Sequence, residues 1–141
     1  MKYLHTMVRI KDIDESLDFY VNKLRLKEKR RVNNEKGRYT LIFLSAENSD
    51  DKTGLLELTY NWDPENYQGG RNIGLVAYSV KNIYETCEKL IEGGVIINRP
   101  PRDGHMAFVK SPDGISIEIL QEGDSLEIKE PWSEMVNNGT W

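Results

Sequence analysis

Three residues are candidates for binding a metal ion or transferring a proton, because of their types and their places in the sequence: His5, Glu57 and Glu118. Each lies in a short run with strand character, and alternate residues of a strand point to the same face. In the last run, Glu118 alternates with Ile117 and Ile119, so the carboxylate and the isoleucines face opposite sides. We expect the same for Glu57, which places each carboxylate on the sheet face turned away from the helices.

Imidazole nitrogen and carboxylate oxygen together suit zinc, nickel, iron or manganese, and a catalytic metal site keeps positions open for water or substrate. A divalent cation would also keep two neighbouring carboxylates ionised, because their mutual repulsion otherwise raises the pKa of one of them. Taken singly, a strand glutamate or histidine is more often a solvated or core residue. A functional role for Glu57 and Glu118 is better supported because they occupy equivalent positions in an internal repeat.

The repeat aligns without a gap. The stretch HTMVRIKDIDES, which begins at His5, matches LVAYSVKNIYET, which begins at Leu75. Apolar residues at helical spacing follow in both copies and predict a helix over 13–24 and another from Ile83 to a stop at the two glycines of 93–94. Asp12 and Asn82 are suited to cap the first amides of these helices.

Shorter runs with strand character follow each helix. They lie at 28–32, 38–44 and 55–61 in the first half and at 95–97, 106–110 and 115–120 in the second. Each half therefore has the order β-α-β-β-β, which predicts an α+β fold. We expect a first βαβββ module over 1–63, a second over 71–121 and a polar tail over 122–141.

Composition limits the partners. The net charge is −4 and the charged residues are interspersed, which argues against a nucleic-acid or anionic-membrane surface and favours a small-molecule partner. Cys87 is the single cysteine, and the amino-terminal residues lack the pattern of a signal peptide. These features predict a cytoplasmic protein.

Several stretches resemble the vicinal-oxygen-chelate superfamily and, within it, the glyoxalase I (lactoylglutathione lyase) family: LHTMVRI with SLDFY, LLELTYNW, and SPDGISIEIL. The resemblance extends to about residue 121. It implies paired βαβββ modules whose sheets curl around a metal, and a homodimer whose interface sites draw half their ligands from each chain. The activity that it implies is isomerisation of the hemithioacetal of methylglyoxal and glutathione to S-lactoylglutathione.

The resemblance implies metal ligands at His5, Glu57, position 75 and Glu118, with nickel or zinc as the metal. Glu118 would also act as the base that removes the proton, and Glu57 as a ligand and second proton carrier. Leu75 stands where a histidine is expected, and the repeat agrees because His5 is its counterpart. The only other histidine, His105, is expected to alternate away from the pocket.

Glutathione-anchoring positions of the family fall on Arg9, Asn61 and Arg71, each four residues from a ligand position. Four residues of strand span about 13 Å, which suits the distance from the reacting carbon to a charged end of the tripeptide. An arginine can hold a carboxylate with two parallel hydrogen bonds. Arg99 and Arg102 are weaker candidates for the same task.

Leu75 leaves three functions open. The first is a glyoxalase I with a weakened or rearranged metal site, which the retained glutamates and glutathione anchors favour. The second is a related metal enzyme with another substrate. The third is a metal-free small-molecule-binding protein, as in the antibiotic-resistance members of the superfamily.

Overall fold

The computed structural model describes residues 1–47, 49, 54–70 and 72–141. The chain divides into two compact units, Met1–Gly69 and Gly70–Trp141. Each unit contains one mixed four-stranded sheet with few helical residues. The predicted α+β class and the β-α-β-β-β order of both halves are confirmed.

The first unit contains β1 (His5–Ile10), α1 (Ile13–Leu17), a π-helical turn (Asp18–Lys23), β2 (Lys27–Asn34), β3 (Tyr39–Ser45) and β4 (Leu55–Asn61). The strand order is β1-β4-β3-β2. Strand β1 runs parallel to β4, whereas β3 is antiparallel to both of its neighbours. A parallel pair needs a crossover connection, and the helical segment after β1 begins that connection.

The core of the first unit lies between the sheet and its helical segment. Strand residues of one face are buried there, namely Val8, Ile10, Ile42, Leu44, Leu56 and Leu58. Fully burying one such side chain stabilises a fold by roughly 1.5–3 kcal/mol. This face must stay on the helix side, so the alternation of β4 directs Glu57 to the opposite face.

The first helix differs from the prediction of one regular helix over 13–24. It is α-helical only to Leu17, and the following π-helical turn closes with a hydrogen bond from Leu24 N to Phe19 O at 2.9 Å. The wider turn buries Phe19 together with Tyr20, although Phe19 does not fit the α-helical spacing. Arg25, which follows the turn, has a φ of 63°. The helical segment therefore ends in the left-handed backbone conformation at a residue that is not glycine.

The second unit contains β5 (Val76–Val80), α2 (Ile83–Glu92), β6 (Ile97–Arg99), β7 (Met106–Lys110) and β8 (Ser116–Gln121). The strand order β5-β8-β7-β6 repeats that of the first unit. Strand β6 begins later than the predicted run 95–97. The cause is a hydrogen bond from Val95 N to Leu90 O at 2.8 Å, which still belongs to the helix end.

Helix α2 packs on its sheet through Ile83, Cys87 and Leu90, which are all buried. Ile91, which the helical spacing placed on the same face, is exposed instead. Both predicted caps are present. The Asp12 side chain accepts a hydrogen bond from Glu15 N, and that of Asn82 accepts from two amides of its own first turn.

The turn between β7 and β8 is closed by a hydrogen bond from Gly114 N to Ser111 O, and Gly114 has a φ of 80°, which favours glycine. The segment 122–141 belongs to the second unit and contains a 3-10 turn at Trp132–Glu134. Within the described ranges, no helix has the length and apolar character that crossing a bilayer requires.

Candidate functional site

Glu57 lies in the middle of β4, opposite Met7 of β1 and Phe43 of β3. Its side chain is 11% exposed, although it lies on the sheet face away from the helices. The hydroxyl of Thr59 donates a hydrogen bond to Oε1 of Glu57 at 3.1 Å. The carboxylate is therefore held in one orientation, with Oε2 turned to another partner.

That partner is His5, whose Nε2 lies 3.2 Å from Oε2 of Glu57. Two ligand atoms bonded to one cation at about 2.1 Å lie roughly 3.0–3.4 Å apart. The imidazole nitrogen and the carboxylate oxygen thus fit as two neighbouring ligands of a single divalent cation. His5 is partly exposed, which leaves this half of the site open to solvent.

Two further residues, Phe43 and Arg30, lie on this face with His5, and the sequence did not predict them. The ring of Phe43 meets the His5 imidazole edge-on at 5.7 Å between centroids. The guanidinium of Arg30 lies 3.8 Å from the Phe43 ring centroid. The pairing of β2 with β3 brings Arg30 opposite Phe43, and that register could not be read from either strand alone.

Glu118 occupies the corresponding place in the second unit. It lies in the middle of β8, opposite Ala77 of β5 and Phe108 of β7, and is half-buried. Glu57 is placed in the same way: its partner on the parallel strand is Met7, and its partner on the antiparallel strand is also a phenylalanine, Phe43. The two carboxylates are therefore equivalent in the two sheets.

The register also locates position 75. Leu75 precedes Ala77, the strand partner of Glu118, by two residues, as His5 precedes Met7, the strand partner of Glu57. The Leu75 side chain is 40% exposed and carries no atom that can bind a metal. Strand pairing thus gives the same equivalence of His5 and Leu75 as the gap-free repeat.

His105 does not replace the missing imidazole. It directly precedes β7 and alternates with Ala107 and Val109, which are buried on the helix side of the sheet. Phe108, the partner of Glu118, faces the other way. The Nδ1 atom of His105 is buried and has no hydrogen-bond partner among the described residues.

Two of the three predicted glutathione anchors can be placed. Arg9 is exposed and lies opposite Thr59, on the same sheet face as Glu57. Asn61 lines a cavity of about 250 Å³ at the end of β4, and its Nδ2 atom donates a hydrogen bond to Glu65 at 3.1 Å. The third anchor, Arg71, lies outside the described residues.

Arg99 and Arg102 are engaged within their own unit. Arg99 donates to Asp103 at 2.8 Å, and Arg102 donates to the carbonyl of Met135 at 2.9 Å. Burial acts to raise the pKa of Asp103, but hydrogen bonds from Arg99 and from two backbone amides lower it to about 2. Glutathione would have to displace these contacts to use either guanidinium.

The single cysteine is not a candidate nucleophile or ligand. Cys87 is fully buried in α2, and burial raises the pKa of its thiol to about 12. Among the described residues, no three His, Cys, Asp or Glu side chains lie close enough together to hold a metal ion. His5 and Glu57 form a two-ligand pair, and their grouping with Glu118 in one centre stays a prediction.

Comparison with known proteins shows which family this chain resembles. The family model described as Glyoxalase/Bleomycin resistance protein/Dioxygenase superfamily matches residues 2–119. The chain is 42% identical over 127 residues to a lactoylglutathione lyase of Neisseria meningitidis serogroup A, covering 86% of this chain and 91% of the relative. It is 38% identical over 130 residues to the lactoylglutathione lyase of Escherichia coli O157:H7, covering 89% and 96% respectively.

Among solved structures, the trypanothione-dependent glyoxalase I of Leishmania major superposes with a TM-score of 0.79 at 34% sequence identity. The match covers 86% of each chain. The range matched by the family model, residues 2–119, contains both Glu57 and Glu118.

Proposed function

Because the chain belongs to the glyoxalase/bleomycin resistance protein/dioxygenase superfamily, we propose that it is a glyoxalase I-type lyase with one altered metal-ligand position. The reaction is isomerisation of the hemithioacetal of methylglyoxal and glutathione to S-lactoylglutathione. Relatives that carry the name lactoylglutathione lyase align with most of the chain, which supports this activity.

The observation that carries the proposal is the contact between His5 and Glu57. A nitrogen and an oxygen donor lie 3.2 Å apart on an open sheet face, and the carboxylate is oriented by Thr59. This donor pair suits a divalent cation, for which we propose nickel or zinc. Glu118 is proposed as a third ligand, and Leu75 leaves the fourth position without a protein donor.

A divalent cation in this site supplies Lewis-acid stabilisation of the negative charge that develops on substrate oxygens when a proton is removed next to a carbonyl. Glu118 is proposed as the group that takes this proton and returns it to the neighbouring carbon. A carboxylate is suited to this exchange because a positioned side chain can accept the proton from one substrate carbon and deliver it to the neighbouring carbon. Glu57 serves as a ligand and as a second proton carrier.

Arg9, Asn61 and Arg71 are proposed to hold the glutathione part of the substrate. Arg9 lies four residues along β1 from His5, which corresponds to about 13 Å of strand. Asn61 lies four residues along β4 from Glu57 and lines the cavity at the strand end. Binding of a glutathione carboxylate or amide at Asn61 would replace its hydrogen bond to Glu65.

We further propose a cytoplasmic homodimer with sites at the subunit interface. The apolar side chains of Leu4, Ile73 and Leu75 are exposed near the starts of β1 and β5, which suits burial against a second copy. Light scattering checks this directly, since a dimer has twice the mass of the 16.3 kDa chain.

The activity is tested with purified protein of measured metal content. Methylglyoxal and glutathione are mixed, and formation of the S-lactoylglutathione thioester is followed after removal of metal and after addition of nickel or zinc. We expect activity that depends on added metal. Tight metal binding without turnover of this hemithioacetal would contradict the proposed substrate and favour a related metal enzyme.

Leu75 favours one alternative, a metal-free protein that binds a small molecule. A hydrocarbon side chain at this position removes an imidazole and adds apolar surface to the site. A stably folded protein that shows neither metal binding nor thioester formation would favour this second function.

A further inference from the structure

The first half of the segment 122–141 contacts helix α2 of the second unit. Trp132 is 2% exposed and stacks on Tyr84 of α2, with 6.0 Å between ring centroids. The hydroxyl of Tyr84 donates a hydrogen bond to the carbonyl of Glu127 at 3.0 Å. These contacts fix the path of the segment along the helix.

The second half of the segment is held by hydrogen bonds to Arg102 and Asn98. Arg102 donates to the carbonyl of Met135 and to Oδ1 of Asn137, both at 2.9 Å. Asn98 and Asn138 exchange two hydrogen bonds of 2.8 Å, one from each residue. Only two residues, Gly139 and Thr140, therefore lie between the last of these attachments and Trp141.

Trp141 stacks on Phe108 with 5.4 Å between centroids and 22° between ring planes. Phe108 lies directly opposite Glu118 on the neighbouring antiparallel strand. Side chains in such a pair have Cβ atoms about 5 Å apart on one sheet face. The segment thus places an indole ring against the phenylalanine that is paired with Glu118, the carboxylate proposed as the base. Trp141 is 40% exposed, so part of the ring can still contact a ligand.

The equivalent phenylalanine of the first unit has different neighbours. Phe43 contacts the imidazole of His5 and the guanidinium of Arg30, both of which are polar. Phe108 contacts the indole of Trp141. In the first unit, the surroundings of Glu57 are therefore polar beside its phenylalanine. In the second unit, the phenylalanine beside Glu118 has an aromatic neighbour, and Leu75 stands in place of an imidazole.

We propose that Trp141 is a specificity-determining residue. It makes the protein favour hemithioacetals of aromatic 2-oxoaldehydes over the hemithioacetal of methylglyoxal as substrates at Glu118. An aromatic ring on the carbonyl carbon can stack on or meet the edge of the indole, whereas a methyl group cannot. The substrate class rests on the proposed function. Trp141 lies outside residues 2–119, the range that the family model covers.

The test compares two substrates in the variants Trp141→Ala and Trp141→Phe. The substrates are the glutathione hemithioacetals of methylglyoxal and of phenylglyoxal. In Trp141→Ala, the ratio of kcat/KM for the phenyl substrate to that for the methyl substrate falls by roughly 3- to 10-fold, the size of one aromatic contact. Trp141→Phe restores most of the ratio. Val136→Ala, a change at an 83% exposed residue of the same segment, leaves the ratio unchanged.

A binding measurement separates this inference from the proposed function. Calorimetry with S-methylglutathione and S-benzylglutathione needs no turnover, and Trp141→Ala is expected to weaken only the binding of the benzyl compound. Selective weakening without turnover of either hemithioacetal counts against the lyase but supports the role of Trp141. Equal effects on both compounds, no effect on either, or no binding of S-benzylglutathione to the unmodified protein overturns the inference.

Discussion

Leu75 holds the register position in the second sheet that His5 holds in the first. Each residue lies two positions before the strand partner of a glutamate, Glu118 in one case and Glu57 in the other. One half of the proposed metal site therefore offers an imidazole and a carboxylate, and the other half offers a carboxylate alone. This difference leads to a direct test by restoring the imidazole.

Replacing Leu75 with histidine is expected to increase metal affinity. Loss or gain of interactions around a bound metal changes affinity by roughly 10- to 100-fold, and a direct ligand has at least this effect. Competition with a chromophoric chelator measures the change. Ile73→His, at an exposed residue two positions earlier, is the matched control. Equal affinities of Leu75→His and the unmodified protein would show that position 75 does not face the metal.

Replacing His5 with alanine is expected to lower metal affinity, because it removes the nitrogen that lies 3.2 Å from Glu57. A decrease of at least roughly 10-fold is expected. The control is His105→Ala, which removes the other histidine on the opposite side of its own sheet. If both variants lost metal equally, the assignment of His5 as a ligand would be wrong.

Glu118→Gln is expected to remove most of the activity, because an amide cannot accept the substrate proton as a carboxylate does. General-base groups typically contribute roughly 10²- to 10⁴-fold to the rate. The variant is assayed at saturating metal, so that lost turnover is separated from weakened metal binding. Glu122→Gln, at an exposed residue after β8, should behave as the unmodified protein. Retention of full kcat in Glu118→Gln would exclude this residue as the base.

Arg9→Lys is expected to raise the KM for the hemithioacetal by roughly 10-fold while kcat changes less, because lysine cannot make the paired hydrogen bonds of a guanidinium to a carboxylate. The control is Arg31→Lys. Arg31 pairs with Ile42 on the opposite sheet face, where its guanidinium binds Glu28. A rise in KM of the same size in both variants would indicate a general effect of charge on binding.

Asp103 is expected to contribute to acid sensitivity. Its pKa is lowered from 3.8 to about 2 in the folded protein, where Arg99 and two backbone amides donate to the carboxylate. The folded state thus favours the charged form more than the unfolded chain does. The resulting stability is present above about pH 4 and is lost as the pH falls towards 2.

Urea unfolding of the unmodified protein and of Asp103→Asn, from about pH 5 down to about pH 2, measures this contribution. The difference in free energy of unfolding between the two proteins should shrink as the pH falls. A constant difference over this interval would show that the charge of Asp103 does not contribute.

Much of the fold could be predicted because its signals are local. Alternation directs Glu57 away from Leu56 and Leu58, and Asp12 and Asn82 have the side chains that cap a helix start. The internal repeat located the equivalent positions without any knowledge of strand pairing. The predicted start of β6 was too early. Val95 still donates a hydrogen bond to the end of the preceding helix, so the strand begins only at Ile97.

The first helix shows where periodicity misleads. A π-helical turn changes the number of residues per turn, so Phe19 enters the core although it lies off the α-helical spacing. In the second unit, α2 keeps a regular period, yet Ile91 lies at the edge of the buried face and is exposed. Spacing alone does not show how wide a buried face the sheet can cover.

The sequence alone determined the order of the modules, the faces on which the glutamates lie and the pairing of Leu75 with His5 in the repeat, because these depend on periods of a few residues. The tertiary structure decided which distant side chains meet. Arg30 reaches Phe43 through strand register, and Trp141 reaches Phe108 through the path of a 20-residue segment, 122–141. Such contacts join residues whose separation along the chain carries no periodic signal, so only the folded backbone brings them together.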